Sequence, residues 1–467
     1  VGCPDGCRRA RAEGAAGVQV GTLFAYCEES GRAEPLKRSV LEHAGHEVVG
    51  CDIDEQVVAT VAGGRAPFPN ERGLDAALDA AAGQGLLRAT TDTAAAIAEY
   101  RPELIVAVPP LYVDEAAEPQ WAALDAEVAD IGRGLAACTA GTPPDVAIET
   151  TVPVGTTRQR IAPALERASG LRDGDGFHTV FSPERVFSGR ALADLDAYPK
   201  LVGGLTPEGE LAGAACYEAF LQAEVRQMGS AEAAELAKLA ETTYRDVNIA
   251  FANELARYSD QLGIDVLGVI EAANSQPYSH IHRPGIAVGG HCIPVYPRFL
   301  ARGNDHALLP RAARDINDGM PEYAADLLGD VAGRRVLILG VAYRGGVRET
   351  AFSGAFPLRA ALAERGAAVV VHDPLYDAQA LHALGFEPWD GRSEIDAVVV
   401  QADHPEYREL GEADLPGVSA AVDGRGILDP TRFPTVPVRR IGRPDSAPAD
   451  RGSAVAPSVD RLDERPA

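Results

Sequence analysis

The sequence lacks most of what would tie it to a nucleic acid, a membrane or an oxidising compartment. Of its 467 residues only 43 are Lys or Arg against 68 Asp or Glu, a formal net charge of -25. A general nucleic-acid or membrane-surface binder would carry a basic face, and this balance argues against one. Small anionic ligands stay open, because a helix N-terminus or a local Arg/Lys cluster holds a phosphate in an acidic protein too. There is no run of 18 apolar residues, so no transmembrane helix is expected. The opening stretch VGCPDGCRRARAEGAAG has no apolar h-region and reads as an unstructured leader rather than a signal peptide, so cytoplasm is the expected location. Seven cysteines, at 3, 7, 27, 51, 138, 216 and 292, are odd in number and irregular in spacing, which excludes a disulfide framework. No second pair follows Cys3 and Cys7 at finger spacing. His280, His282, His291 and Cys292 crowd together without a carboxylate or thiol pair to complete a tetrahedron, so no metal is expected.

What is present is alternation. Apolar residues make up 46% of the chain, enough for two or three domains with large cores. Val18–Tyr26 reads as a strand, Leu36–Ala44 as a short amphipathic helix stopped by Gly45, and His46–Ile53 as a buried parallel strand carrying Asp52 at its end. A helix over Glu55–Val61 and strands at Leu104–Val108 and Val146–Glu149 continue the pattern, which argues for a doubly wound α/β domain. In such a fold an acid at the end of the second strand bonds the ribose of a dinucleotide, the place Asp52 takes; an ordinary helix N-cap is the other reading. Ala231–Leu262 holds no Gly or Pro, follows Ser230 as N-cap and ends at Gly263. A helix of that length bridges domains or builds a dimer. The pattern then restarts with a strand at Arg335–Gly340, a turn at Gly345 and Gly346, a helix over Phe356–Arg365 and strands at Ala368–His372 and Ala397–Gln401. Together these make a second Rossmann-like half. From about Arg443 the chain is Pro-, Ala-, Asp- and Arg-rich and reads as a disordered tail.

Within GIAVGGHCIPVYP, Gly285 to Pro297, Cys292 follows the glycines Gly289 and Gly290. Glycines let a backbone approach a ligand closely, and a thiol in such a loop is a candidate nucleophile. The competing reading is a small buried hydrophobe.

The blocks ETTVPVGTTR (149–158), FSPERVFSGRAL (181–192), PKLVGG (199–204), ELAKLAETTYRDVNIAFANELA (235–256) and GIAVGGHCIPVYP resemble the nucleotide-sugar 6-dehydrogenases, which act on UDP-glucose, UDP-N-acetylmannosamine or UDP-N-acetylglucosamine. GVAYRGG (340–346) and VVHDP (370–374) match the C-terminal part of that family, and the resemblance spans about residues 36–440. It implies two Rossmann-like doubly wound domains joined by a long central helix that also forms a homodimer. The implied division is an atypical leader at 1–34, an NAD-binding domain at 35–205, a central helical domain with the cysteine loop at 206–315, a UDP-sugar-binding domain at 316–442 and the tail at 443–467. The implied reaction oxidises the sugar C6 alcohol to a carboxylate and reduces two NAD. Cys292 would capture the aldehyde as a thiohemiacetal, which becomes a thioester that water hydrolyses. By position, Lys238 would stabilise alkoxide and oxyanions, Glu184 would act as acid/base or bind water, and Thr151 would orient that water. Their alternatives are a solvated helix lysine, an ion pair of Glu184 with Arg185, and a strand-end threonine. Arg283, nine residues before the cysteine, and Arg344 would face phosphate or sugar hydroxyls, with Gly289, Gly290 and Thr242 beside the substrate.

Four departures qualify the resemblance. Tyr296 stands where an Asp serves as base for thioester hydrolysis, and a phenol of pKa ~10 is a poor base at neutral pH. Thr242 replaces an Asn but still carries one donor. Arg348-Glu349-Thr350-Ala351 replaces an Asp-x-Arg motif. The glycine-rich first turn should fall at Glu29 to Glu34, where ESGRAE keeps only Gly31 and adds two acids; either the frame changes upstream of Pro35 or NAD affinity is reduced. Besides a dehydrogenase, for which the N-acetylhexosamine branch is favoured, the sequence therefore admits a cofactor-poor UDP-sugar-binding protein and an enzyme that stops before thioester hydrolysis.

Overall fold

The computed structural model describes residues 17–21, 47–67, 73–114, 118–138, 143–186 and 191–443. The helix expected at Leu36–Ala44, Gly31, the leader apart from residues 17–21, and the tail beyond residue 443 lie outside them. The chain forms two compact units. One comprises the described residues to Asp246 with His291–Ala312; the other comprises Val247–Gly290 and the described residues from Ala313.

In the first unit the strands are β1 (Gly17–Gly21), β2 (Glu47–Cys51), β3 (Leu87–Thr90), β4 (Leu104–Ala107), β5 (Tyr112–Val113), β6 (Pro119–Gln120), β7 (Asp145–Ile148), β8 (His178–Phe181), β9 (Lys200–Gly204) and β10 (Val225–Gln227). β5 and β6 form a small ribbon, and the others make one sheet in the order β10-β9-β8-β7-β4-β1-β2-β3. β8 and β9 run antiparallel, while β3-β2-β1-β4-β7-β8 is the parallel dinucleotide-fold order. The strands are apolar on both sides because both faces are covered. Leu104 and Val106 of β4 join a cluster with Val61, Leu74, Leu78 and Tyr217, whereas Ile105 and Ala107 join another with Ile97, Leu124, Val128 and Leu165.

The second unit repeats this with β11 (Arg335–Leu339), β12 (Ala368–His372), β13 (Ala397–Val400), β14 (Ala420–Asp423) and β15 (Val438–Arg440), all parallel in the order β12-β11-β13-β14-β15. Val336 and Ile338 pack to one side and Leu337 and Leu339 to the other.

The long helix runs from Ala231 to Leu262. The Ser230 hydroxyl caps it by accepting the Ala233 N–H at 3.1 Å, and Gly263, at φ 68°, ends it in the left-handed region. At 1.5 Å per residue it extends about 48 Å. Its start lies tightly against β9: a Cβ on Gly203 would fall 2.1 Å from the Ser230 carbonyl oxygen, so this strand position must be glycine.

Candidate functional site

The first unit gathers the candidate catalytic residues from five segments. Glu149 and Thr151 follow β7. Glu184 follows β8 across a Ser-Pro step, Lys200 opens β9, Lys238 and Thr242 lie on the long helix, and Cys292 precedes a short helix, Tyr296–Ala301. The loop after β7 is clamped by Glu235 of the long helix, whose buried carboxylate accepts the Gly155 N–H, the Thr157 N–H at 2.9 Å and the Thr157 hydroxyl at 2.7 Å.

Cys292 is half-buried. Its carbonyl accepts the Val295 and Tyr296 N–H groups at 3.2 and 2.9 Å, which turns the chain into the short helix. The residue packs with Leu239, Val295, Tyr296 and Phe299. Burial pushes its thiol up to about 12. Tyr296 is buried in the same cluster, with its ring 5.9 Å from that of Phe299.

Lys238 is not a solvated helix lysine. It is 8% exposed, and its ammonium lies 3.3 Å from Glu241 one turn on. Glu241 also holds the Arg185 side chain at 2.8 Å, where the alternative reading of Glu184 had paired Arg185 with Glu184. Glu184 is buried. Its Oε1 accepts the N–H groups of Arg185 and Val186 at 2.6 and 3.0 Å, and its Oε2 lies 3.9 Å from the Lys200 ammonium. Burial pushes the Glu184 carboxyl above its ordinary range; the Lys200 ammonium pulls it back, the Glu149 carboxylate adds to the rise, and Lys238 opposes it. Thr151 is buried beyond the end of β7. Thr242 is buried too, and its hydroxyl donates to the Lys238 carbonyl at 3.1 Å, so the donor foreseen for a ligand is spent inside the helix and an acceptor is left.

Sequence reasoning missed Glu149, Lys200 and Tyr217. Lys200 pairs with Glu149 at 2.7 Å, both essentially sealed from solvent, and the Tyr217 hydroxyl donates to the same Glu149 oxygen at 2.6 Å. The available signal was an acid closing an apolar strand, VAIE, and a lysine opening another, KLVGG.

At the topological switch between β1 and β4 a doubly wound sheet takes its ligand. Asp52, at the end of β2, is buried and accepts the Asp54 N–H at 2.8 Å. The N-cap of the following helix is Asp54, so the capping alternative for Asp52 does not apply. A carboxylate at this strand end fits the ribose of a dinucleotide. Its counterpart in the second unit, Asp373, does not: that carboxylate is consumed by the N–H groups of Val341, Ala342 and Leu375 and by His404 at 3.2 Å. Burial would raise Asp373, yet these bonds hold it below the usual range.

Also in the second unit, a Cβ on Gly289 would lie 2.5 Å from the Tyr343 Cβ, and the Gly290 N–H donates to the Ala351 carbonyl at 2.8 Å with φ at 89°. The glycine pair thus serves close packing on Tyr343. Arg344, exposed, donates to the Tyr343 hydroxyl at 3.0 Å; Arg283 is exposed on the preceding loop. Arg425, which the sequence did not single out, donates to the Tyr343 and Gln401 carbonyls at 2.9 and 2.6 Å. Among the described residues no group of three or more His, Cys, Asp or Glu is arranged to hold a metal ion, and no helix is long and apolar enough to cross a membrane.

Three family models match in order: the UDP-glucose/GDP-mannose dehydrogenase family NAD binding domain over residues 36–221, its central domain over 232–318 and its UDP binding domain over 337–430. The chain belongs to the UDP-glucose/GDP-mannose dehydrogenase family. It is an oxidoreductase of that family and carries the family's NAD-binding domain, whose match begins just beyond the ESGRAE stretch. It is 32% identical to a UDP-N-acetyl-D-mannosamine dehydrogenase of Pyrococcus horikoshii over 86% of this chain and 95% of that one. To an NDP-N-acetyl-D-galactosaminuronic acid dehydrogenase of Ralstonia solanacearum it is 31% identical over 85% and 94%. The solved UDP-D-ManNAc dehydrogenase of P. horikoshii superposes with a TM-score of 0.76 at 29% identity, covering 92% of this chain and 100% of that one.

A thiol with a raised pKa is protonated at neutral pH and gains thiolate as pH climbs. Alkylation of Cys292 by iodoacetamide in the free protein, read by peptide mass spectrometry, should rise about tenfold per pH unit from 7 to 10. A plateau below pH 8 would show a thiolate already formed.

Proposed function

We propose that this dehydrogenase oxidises the C6 hydroxyl of a UDP-N-acetylhexosamine to the uronic acid, with Cys292 as the covalent handle. The observation that carries this is the packing of Cys292 on the cluster that holds Leu239, the residue after Lys238 on the long helix, while the Lys238 ammonium acts on the buried Glu184. The relatives' names favour an N-acetylated sugar over glucose.

Bound NAD supplies the hydride acceptor, with Asp52 as the described residue that would hold its ribose. The Cys292 thiol gives its proton to solvent, its sulfur adds to the C6 aldehyde carbon as the C=O π bond opens, and Lys238 steadies the oxyanion that results; loss of a second hydride to the same class of acceptor turns this adduct into the thioester. At the thioester, Glu184 Oε2 takes a proton from water as the water oxygen bonds to the acyl carbon. The C–S bond then breaks and the sulfur departs as thiolate. Thr151 orients that water. Arg283 and Arg344 pair with phosphate or sugar hydroxyls, with Gly289, Gly290 and Thr242 alongside. Because Tyr296 is walled into the apolar cluster, Glu184 is the base this account relies on. The same burial of Tyr296 favours, as a second reading, an enzyme that stops before thioester hydrolysis, releasing the free aldehyde or holding the acyl group on Cys292. A homodimer through the long helix completes the proposal: Tyr244, Phe251, Tyr258 and Leu262, each about half-exposed, fall along one of its faces.

With purified protein, NAD and UDP-N-acetylmannosamine, UDP-N-acetylglucosamine or UDP-glucose, two NADH per sugar are expected from an N-acetylated substrate. One would support early release; none, with UDP-sugar still bound, would support a binding protein. Cys292→Ser should lower uronic acid formation about a thousandfold or more, as loss of one member of a catalytic unit does; full-rate formation would sink the covalent role. In light scattering, wild type should have the mass of two chains and Phe251→Asp/Tyr258→Asp that of one; a monomeric wild type would refute the dimer.

A further inference from the structure

Glu184 is held unevenly. Oε1 is fixed by two backbone N–H groups, whereas Oε2 is buried, takes no hydrogen bond from a described residue, and has the Lys200 ammonium at 3.9 Å. Lys200 in turn is committed to Glu149 at 2.7 Å and lies 5.0 Å from the Tyr217 ring centroid, while Tyr217 donates its hydroxyl to Glu149. The four groups come from the end of β7, the loop after β8, the start of β9 and the helix Pro207–Glu218, and none is more than about 4% exposed. Burial and the Glu149 charge keep Tyr217 protonated, so it acts as a donor there.

We propose that Lys200, held by Glu149 and Tyr217, is a positioning residue that keeps Oε2 of Glu184 charged and aimed for its reaction with water. This rests on the proposed role of Glu184. A purely structural ion pair at this place would fix the strands and leave the charge state of Glu184 to its other neighbours. The charged and titratable groups acting on Glu184 are Lys200, Glu149 and Lys238, with Tyr217 behind Glu149. Lys200 favours the ionised form and Glu149 opposes it, so their removal has opposite signs.

The titration of Glu184 in the free protein can be followed by infrared difference spectroscopy, its carboxyl band identified as the one missing in Glu184→Gln. In parallel, the acid limb of kcat/KM reports the essential base of the free enzyme. In Lys200→Met the band and the limb should both move to higher pH, by roughly 1 to 3 units for loss of an opposite charge at this range. In Glu149→Gln both should move to lower pH, and Lys200→Arg should stay near wild type. A lone buried charge left by either single change destabilises the fold, so the double variant Lys200→Met/Glu149→Gln removes the pair together; its upward shift should be smaller than that of Lys200→Met alone. A Glu184 band that stays put in these variants, or moves the same way in both single changes, overturns the inference. A band that moves as stated under an unmoved acid limb overturns instead the role of Glu184 in the reaction, and with it the part of the inference that concerns water.

Discussion

An ammonium and a carboxylate lie 2.7 Å apart between the start of β9 and the end of β7, on opposite sides of β8 and almost without solvent. Opening such a pair leaves a bare charge in the core and costs about 3–5 kcal/mol, so the strand ends that carry it cannot drift independently. The end of β7 launches the loop bearing Thr151, and Glu184, on the loop after the intervening β8, has its Oε2 3.9 Å from the same ammonium. Gly203 sets β9 against the start of the long helix, and Glu235 of that helix reaches back to clamp the loop after β7. Lys238, three residues further along the helix, is thereby fixed relative to the loop.

The two units use one architecture but differ in what a strand-end acid does. Both place an acid at the end of the strand next to the first strand of the sheet, Asp52 and Asp373. Asp373 closes its own turn by accepting three backbone N–H groups and a histidine, which leaves nothing for a ribose. In the first unit Asp52 accepts the Asp54 N–H at 2.8 Å, and residues 22–46 lie outside the described residues. The division agrees with a chain whose N-terminal match is an NAD binding domain and whose C-terminal match is a UDP binding domain.

Much of the fold was legible because it is written in local pattern. Runs such as LIVAV and AVVVQ are apolar throughout, as strands covered on both faces must be, and the helix from Ala231 to Leu262 has no breaker between Ser230 and Gly263. The sequence motifs singled out Cys292, Lys238 and Glu184, and the structure carries all three in the first unit, with Lys238 and Glu184 buried. Lys200 and Glu149 were not legible, because nothing local says that a lysine at a strand start is buried; that depends on Tyr217 and β7 arriving from elsewhere in the chain. The glycine pair Gly289–Gly290 was legible as a place of close approach, and Tyr343 is the described residue packed against it. Thr242 was legible as a hydroxyl on the long helix, but its bond to the Lys238 carbonyl depends on the helix geometry.

The central claim is that substrate carbon bonds to the sulfur of Cys292. Acid quenching during turnover with NAD and UDP-N-acetylmannosamine, followed by peptide mass spectrometry, tests it directly. The account predicts a transient increment equal to the sugar-nucleotide acyl group on the peptide containing Cys292, lost on treatment with hydroxylamine. Steady uronic acid production with Cys292 unmodified at every time, under conditions that preserve thioesters, would contradict it.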